Sequence, residues 1–284
     1  MGADRVTVVV PTRNSGRTIR SCLEHVRRQT HSNVELMVVD NGSRDETVAI
    51  AGEMADRVES HGAERSAQRN RGYELSTGDL IAFIDSDKLL EPEVLAEAVA
   101  AAGAEPATGG LVIPELTLGV GFLTGCRALE KRLYLGDARV EAAVIFTRAA
   151  LERVGGYDES LFAGEDWELD DRVRAAGFAV GRTRALAWHD EGRVRLRAAF
   201  AKKRCYGRSL ADYYRSGATT RPITRTALFS DPTTLAREPA HAAGMFLLKA
   251  VETAGLALGA LEAGRAGRRS PDRRDRDIPS GSPD

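Results

Sequence analysis

Apolar positions along this chain alternate between two periods. Near-continuous runs at 6–10, 34–39 and 80–84 read as short strands buried on both faces. Between the first two, Ile19, Cys22, Leu23 and Val26 fall at i, i+3, i+4 and i+7, one face of a helix. Pro11 is expected to end the first strand. Ser43 with Glu46 three residues on forms a capping-box pattern that predicts a helix to about residue 55. A short strand at 57–59 and a helix at 64–75 complete the run up to residue 80. Farther on, the pattern predicts a helix at 92–102 opened by Pro92, a strand at 109–113 and a helix at 122–135. A strand at 140–147, a helix at 149–154 stopped by Gly155 and Gly156, an acid-started helix at 165–177 and a strand at 178–187 follow.

Strands separated by helices of this length predict a mostly parallel, doubly wound α/β sheet. Ligands of such sheets bind outside the carboxyl ends of the strands. Those ends are Pro11, Thr12 and Arg13; Asp40, Asn41 and Gly42; and Asp85, Ser86 and Asp87, so the three loops should line one crevice. Alternation along an extended chain would turn Asp85 and Asp87 to one side. Two facing carboxylates suit a hard divalent cation, Mg²⁺ or Mn²⁺, that also holds substrate phosphates. No G-x-G-x-x-G follows the first strand and no P-loop signature is present, which argues against a dinucleotide dehydrogenase or a P-loop ATPase.

After Gly192 the character changes. Arg193, Arg195, Arg197, Lys202, Lys203, Arg204 and Arg208 make a basic helical stretch with Phe200, Tyr206, Tyr213 and Tyr214 interleaved. It is read either as a solvated face or as a surface for phosphates or membrane. Residues 241–264 are apolar and helical, but Lys249 and Glu252 interrupt them. An amphipathic helix packed on the domain, a second subunit or a membrane surface is expected rather than a span. The chain therefore divides into 1–192, a helical extension at 193–264 and a charged tail at 265–284 expected to be disordered.

Composition changes little in this picture. With 284 residues, 43% hydrophobic and 29% charged, and a formal net charge of −1, the chain has no global pull toward nucleic acid. Three widely spaced cysteines suggest neither a disulfide framework nor a zinc site. Met1 leads within five residues into the first apolar run, so no signal peptide is expected. The expected location is cytoplasmic, with contact at the inner face of the membrane left open.

Four motifs occur in order: Val8 to Ser15 (VVVPTRNS), Val38 to Asp45 (VVDNGSRD), Ile84 to Asp87 (IDSD) and Gly164 to Trp167 (GEDW). Together they resemble family 2 glycosyltransferases of the GT-A fold, over about residues 5–192. The resemblance implies an inverting, metal-dependent transfer of a sugar from a nucleotide-diphosphate donor to an acceptor hydroxyl. UDP is expected as donor nucleotide ahead of GDP or TDP. Pro11, Thr12 and Arg13 would border the nucleotide, and Asp40 would hydrogen-bond the base. Asp85, Ser86 and Asp87 match the D-x-D motif, with Asp87 the expected direct metal ligand. Asp166 matches the catalytic base, and His189 sits where relatives place a further metal ligand. Asn41 departs from the second Asp of many members. Of Arg65, Arg69 and Arg71, Arg69 is the one expected to touch the diphosphate, and Trp167 is expected in the core. The acceptor, a lipid-linked or cell-envelope glycan or a small molecule, would be met by residues 116–139 and by the region after Gly192. The rivals are a nucleotidyltransferase, which would need a more glycine-rich first loop, and a non-catalytic binding protein of the same fold.

Overall fold

In the computed structural model, which describes residues 5–62, 64–161, 163–215 and 231–266, the apolar runs assemble into a seven-stranded sheet. The first half runs β1 (Val6–Thr12), α1 (Ile19–Arg27), β2 (Val34–Asp40), α2 (Thr47–Met54), β3 (Arg57–Ser60), α3 (Arg65–Leu75) and β4 (Leu80–Phe83). After β5 (Lys88–Leu90) come α4 (Val94–Ala104), β6 (Thr108–Val112), β7 (Glu115–Leu118) and α5 (Phe122–Tyr134). Then follow β8 (Ile145–Thr147), α6 (Arg148–Val154), α7 (Glu165–Ala175), β9 (Ala179–Arg182) and β10 (Ala187–Asp190). The chain continues through α8 (Leu196–Arg215), α9 (Pro232–Arg237) and α10 (Pro239–Ala266).

The large sheet has the order β3-β2-β1-β4-β8-β6-β9, and β5-β10-β7 form a separate three-stranded sheet. β3, β2, β1 and β4 are mutually parallel; β8 runs antiparallel to both β4 and β6. Period-two alternation sorts the core. Val6, Val8, Val10, Leu36 and Val38 face α1 and α4 on one side, while Val9, Met37, Val39, Ile81 and Phe83 face α6 and α7 on the other. This is a mixed α/β fold with a central, mostly parallel sheet, as the resemblance implies.

Several boundaries differ from the pattern, each for a local reason. Pro11 does not end β1, which continues through it. Val9 C=O accepts from Ile84 N–H on the β4 side and Thr12 C=O from Asn41 N–H on the β2 side. The missing N–H of Pro11 therefore points toward β4, beyond the last paired residue Phe83, and no ladder bond is lost. Ser43 does not cap a helix: its amide and hydroxyl both donate to Asp40, and α2 starts only after Asp45. The strand expected at 178–187 breaks into β9 and β10, in different sheets. Between them, Glu97 accepts from the amides of Arg184 and Ala185, and Glu91 from that of Leu186. The strand expected at 140–147 shortens to β8, because the Ala143 amide donates to the buried Asp170 carboxylate.

The described chain divides into two compact units. One comprises the described residues of 1–116, 138–159 and 165–190; the other those of 117–137, 160–164 and 191–266. The boundary expected near 192 is thus crossed by two earlier segments that group with the C-terminal helices. Within the second unit, α10 lies against α5 and α8. Glycines permit backbone contact there: a Cβ on Gly259 would sit 2.0 Å from the Arg204 carbonyl oxygen, and one on Gly207 would sit 2.1 Å from that of Leu256. Lys249 and Glu252, the interruptions noted in the sequence, join Arg127 and Glu130 of α5 in an ion network. By length and composition alone residues 239–264 could cross a membrane, with 33% of the apolar window buried. The tail expected to be disordered lies, past Ala266, outside the described residues, as do Tyr213 and Tyr214 in their side chains.

Candidate active site

All groups of the site belong to the first unit. Parallel pairing of β1 with β2 sets Thr12 opposite Asp40. The Thr12 hydroxyl donates to Asp40 Oδ1 at 2.9 Å, and the Ser43 amide donates to Oδ2 at 2.8 Å. Asp40, 3% exposed, therefore holds two loops together as well as standing at the strand end expected to read the base. A second clasp comes from Asn14, whose φ of 50° is left-handed. Its amide donates to Ser43 Oγ and its Oδ1 accepts from Arg44 N–H. Ser86 reaches the same corner, donating to Ser15 Oγ at 2.8 Å. The three strand-end loops thus meet at one corner. Arg13 lies exposed at the end of the first of them.

The geometry of Asp85 and Asp87 differs from the extended-chain expectation. Lys88 N–H donates to Asp85 C=O at 3.0 Å, so residues 85–88 form a turn, and strand alternation no longer applies. The two carboxylates take different partners. Asp85 Oδ1 receives Arg69 Nη2 at 2.9 Å, and Arg65 lies 3.9 Å from Oδ2. Asp87 Oδ2 pairs with His189 Nε2 at 3.0 Å, and His189 Nδ1 lies 3.4 Å from Glu115. Removal from water would raise both carboxyls, but the neighbouring cations win. Arg69 and Arg65 hold Asp85 well below the usual range, and His189 with Lys88 lowers Asp87 to about 2.

Arg69 occupies a place the sequence did not indicate. It is 2% exposed and bridges the two acidic motifs, with Nη2 on Asp85 and Nη1 on Asp166 Oδ1 at 2.9 Å. Glu165 lies 3.5 Å from the same Nη1, and the guanidinium stands 4.9 Å over the Tyr157 ring. Instead of facing a diphosphate, Arg69 is enclosed by carboxylates. Arg71 is not in the site at all; it pairs with Glu59 and Glu74.

Tyr157 donates its hydroxyl to Asp166 Oδ1 at 3.1 Å. Both donors to Asp166 fall on Oδ1, and Oδ2 carries no hydrogen bond from a described residue. Burial pushes the Tyr157 phenol well up and raises the Glu165 carboxyl, the latter against the pull of Arg65. The Tyr157 backbone is fixed in turn by Asn70, which accepts from its N–H at 2.7 Å and donates to its C=O at 2.9 Å. Gln68, beside Arg69, donates to the carbonyls of Thr12 and Val39. Gln68, Asn70 and Tyr157 carry no motif, and sequence reasoning missed them. Trp167 is anchored by donation to Val140 C=O at 2.9 Å.

Among the described residues no three His, Cys, Asp or Glu side chains converge as a metal-holding set. The expected trio of Asp85, Asp87 and His189 is divided, with Asp85 turned to Arg69. What remains is the Asp87–His189 pair, in which Asp87 Oδ1 is buried with no hydrogen-bond partner. A hard oxygen donor left unpaired beside an imidazole fits a divalent cation that completes its shell from water and substrate phosphates.

Comparison with known proteins bears on the family and the fold. The sequence model described as Glycosyl transferase family 2 matches residues 7–118. A pre-mycofactocin glycosyltransferase of Mycobacterium tuberculosis (strain CDC 1551 / Oshkosh) is 31% identical over 227 residues, 72% of this chain and 47% of that protein. The chain spans less than half the length of the first curated relatives it matches. Among solved structures, the mannosyltransferase PcManGT from Pyrobaculum calidifontis, in complex with GDP-Man and Mn²⁺, aligns with a TM-score of 0.59. Identity is 20%, over 94% of this chain and 76% of that one. Glucosyl-3-phosphoglycerate synthase from Mycobacterium tuberculosis, in complex with Mg²⁺ and UDP, aligns at 0.54 and 20% identity, over 76% and 80%. At these identities the structural likeness establishes the fold.

Proposed function

We propose, from the premise that this chain belongs to the family 2 glycosyltransferases, that it moves a sugar from a nucleotide-diphosphate donor to an acceptor hydroxyl with inversion. The observation that carries the reading is the setting of Asp166. Arg69 and Tyr157 fix its Oδ1, which leaves Oδ2 to accept a proton. The acceptor oxygen bonds to the anomeric carbon as the bond from that carbon to the donor phosphate breaks. The electron pair leaves on the diphosphate, and the hydroxyl proton passes to Asp166 Oδ2. Because attack comes from the face opposite the leaving group, a single displacement inverts the centre.

Asp87 and His189, with Asp85 adjoining, would hold Mg²⁺ or Mn²⁺, which supplies charge stabilisation to the departing diphosphate when bound. Pro11, Thr12, Arg13 and Asp40 would border the nucleotide, with Ser86 at the same corner. UDP is the donor nucleotide we favour. Solved neighbours bind either UDP or GDP-linked donors, so the base is a question for titration. The acceptor segments 116–139 and the region after Gly192 fall largely in the second unit, and we favour a lipid-linked or envelope glycan.

The test is Asp166→Asn. It should leave donor-induced thermal stabilisation in place while transfer falls about 10²–10⁴-fold. Loss of donor binding in this variant would remove Asp166 from the role of base. A panel of UDP-, GDP- and TDP-sugars with and without Mn²⁺ identifies the donor. No shift with any of them in folded protein would favour the non-catalytic reading.

A further inference from the structure

Charge on α10 is distributed the wrong way round for a helix in water. Between residues 243 and 264 its ionisable side chains are Lys249, Glu252 and Glu262, and all three turn inward. Lys249 pairs with Glu130 at 2.7 Å, and Glu252 with Arg127. Glu262 pairs with Arg204 and Arg208 of α8 at 2.5 and 3.0 Å. The outward stripe is Ala243, Phe246, Leu247, Ala250, Thr253, Ala254, Ala257, Leu258, Leu261 and Gly264, exposed throughout and without a single charge. These positions recur at three- and four-residue steps over about 31 Å of helix. Of the eight large hydrophobic side chains exposed among the described residues, four lie on α10 and one, Val48, lies in the first unit.

The stripe is extended sideways, with Arg193 and Arg197 beside it. Phe122, 54% exposed, stacks on His241 near the start of α10, with ring centroids 5.3 Å apart. Arg193 lies beside neighbouring Gly121, within 3.9 Å of a Cβ built there. Leu196, Arg197 and Phe200 of α8 share an apolar depression of about 290 Å³ with Val251 of α10. Arg193, Arg195, Arg197 and Lys202, in the same unit, are all exposed.

We propose that this face of the second unit docks flat on an anionic lipid bilayer. The uncharged stripe would enter the acyl boundary, and the cations of α8 and the segment before it would meet lipid phosphates. A second copy of the chain is the poorer occupant, because two-fold pairing would bring the same cations against one another. The surface belongs to the second unit and shares no residue with the donor site, so the inference does not depend on the sugar chemistry.

The experiment is sedimentation of the full chain with sucrose-loaded vesicles of 3:1 POPC:POPG or of POPC alone, in 50 and 500 mM salt. Wild-type protein should pellet with POPG vesicles, and less so in high salt. Phe246→Glu with Leu247→Glu should lower partitioning at least tenfold. Val48→Glu, on the other unit, should leave it unchanged. Arg193→Glu with Arg197→Glu should abolish the preference for POPG. Circular dichroism checks the fold; if the double variant fails to fold, Leu261→Ser must weaken binding several-fold instead. Absence of pelleting, or pelleting indifferent to the stripe, overturns the proposal. So does a wild-type dimer in light scattering that the stripe variants dissociate, since the face would then belong to a second copy.

Discussion

Replacing Arg69 by methionine isolates the electrostatic core of the site. Methionine keeps much of the length and removes the cation, leaving Arg65 beside Asp85 and Glu165 and removing the only cation paired with Asp166 among the described residues. Breaking a buried ion pair from one side costs about 3–5 kcal/mol, because the remaining charge is uncompensated. At roughly 2–4 °C per kcal/mol for a chain of this class, the melting temperature should fall by about 6–20 °C at pH 7. The loss has a pH signature. Asp85 is depressed in the folded protein, so its contribution is present above the unfolded value near ~3.9 and is lost as pH falls through the folded value. Glu165 is raised, so its ionisation opposes folding above ~4.3, and more so without Arg69. Both signs make the gap between wild type and variant widest near neutrality and narrower below pH 4. Thermal melts from pH 3.5 to 8 measure it. A variant within 0.5 kcal/mol of wild type at pH 7, or a gap that grows on acidification, would refute the argument. Arg69→Lys should fall between them, since one ammonium cannot reproduce two guanidinium bonds at 2.9 Å.

Two further substitutions probe how the site is hung on the sheet. Asp40→Ala strips the acceptor from the Thr12 and Ser43 hydroxyls and should cost about 1–3 kcal/mol in urea unfolding, together with donor affinity; unchanged donor affinity would remove Asp40 from the binding loop. Gly72→Ala would set a Cβ 2.2 Å from Val9 Cγ1, forcing α3 off β1. It should cost about 1–3 kcal/mol and lower transfer by displacing Arg69, and a neutral result would show that the helix can shift without loss.

The parallel core was legible because its strands are buried on both faces, and such strands spell themselves as continuous apolar runs. β1, β2 and β4 were placed within a residue or two on that ground alone. The small sheet was not. β5, β7 and β10 have three or four residues each, too few for a period, and their burial is mixed. The break between β9 and β10 depends on Glu91 and Glu97, whose carboxylates take backbone amides nearly a hundred residues away. Nothing local in 183–186 announces that. The turn at Asp85 likewise follows from one backbone hydrogen bond, and a strand rule carried past Phe83 to Asp87 gave the carboxylates a common direction they lack.

The site was legible in its acids and obscure in its cation, and the reason lies in α3. Its buried positions are Ser66, Ala67, Gln68, Arg69 and Gly72, so what is buried carries no large hydrophobic side chain. A reading that equates apolar with inside turns such a helix outward and leaves its arginines for solvent or substrate. Charge balance and spacing together say more. Glu165 and Asp166 are consecutive acids brought to Asp85 by the fold, and three carboxylates at one place demand a cation. Arg65 and Arg69 are separated by four residues and share a helix face, whereas Arg71 lies about 200° around from Arg69. The helix that turns Arg69 toward the acids must turn Arg71 away, to Glu59 and Glu74, where it is found. Spacing alone could therefore have excluded Arg71. That Arg69 is spent on the chain's own carboxylates follows only from the acids gathered around it.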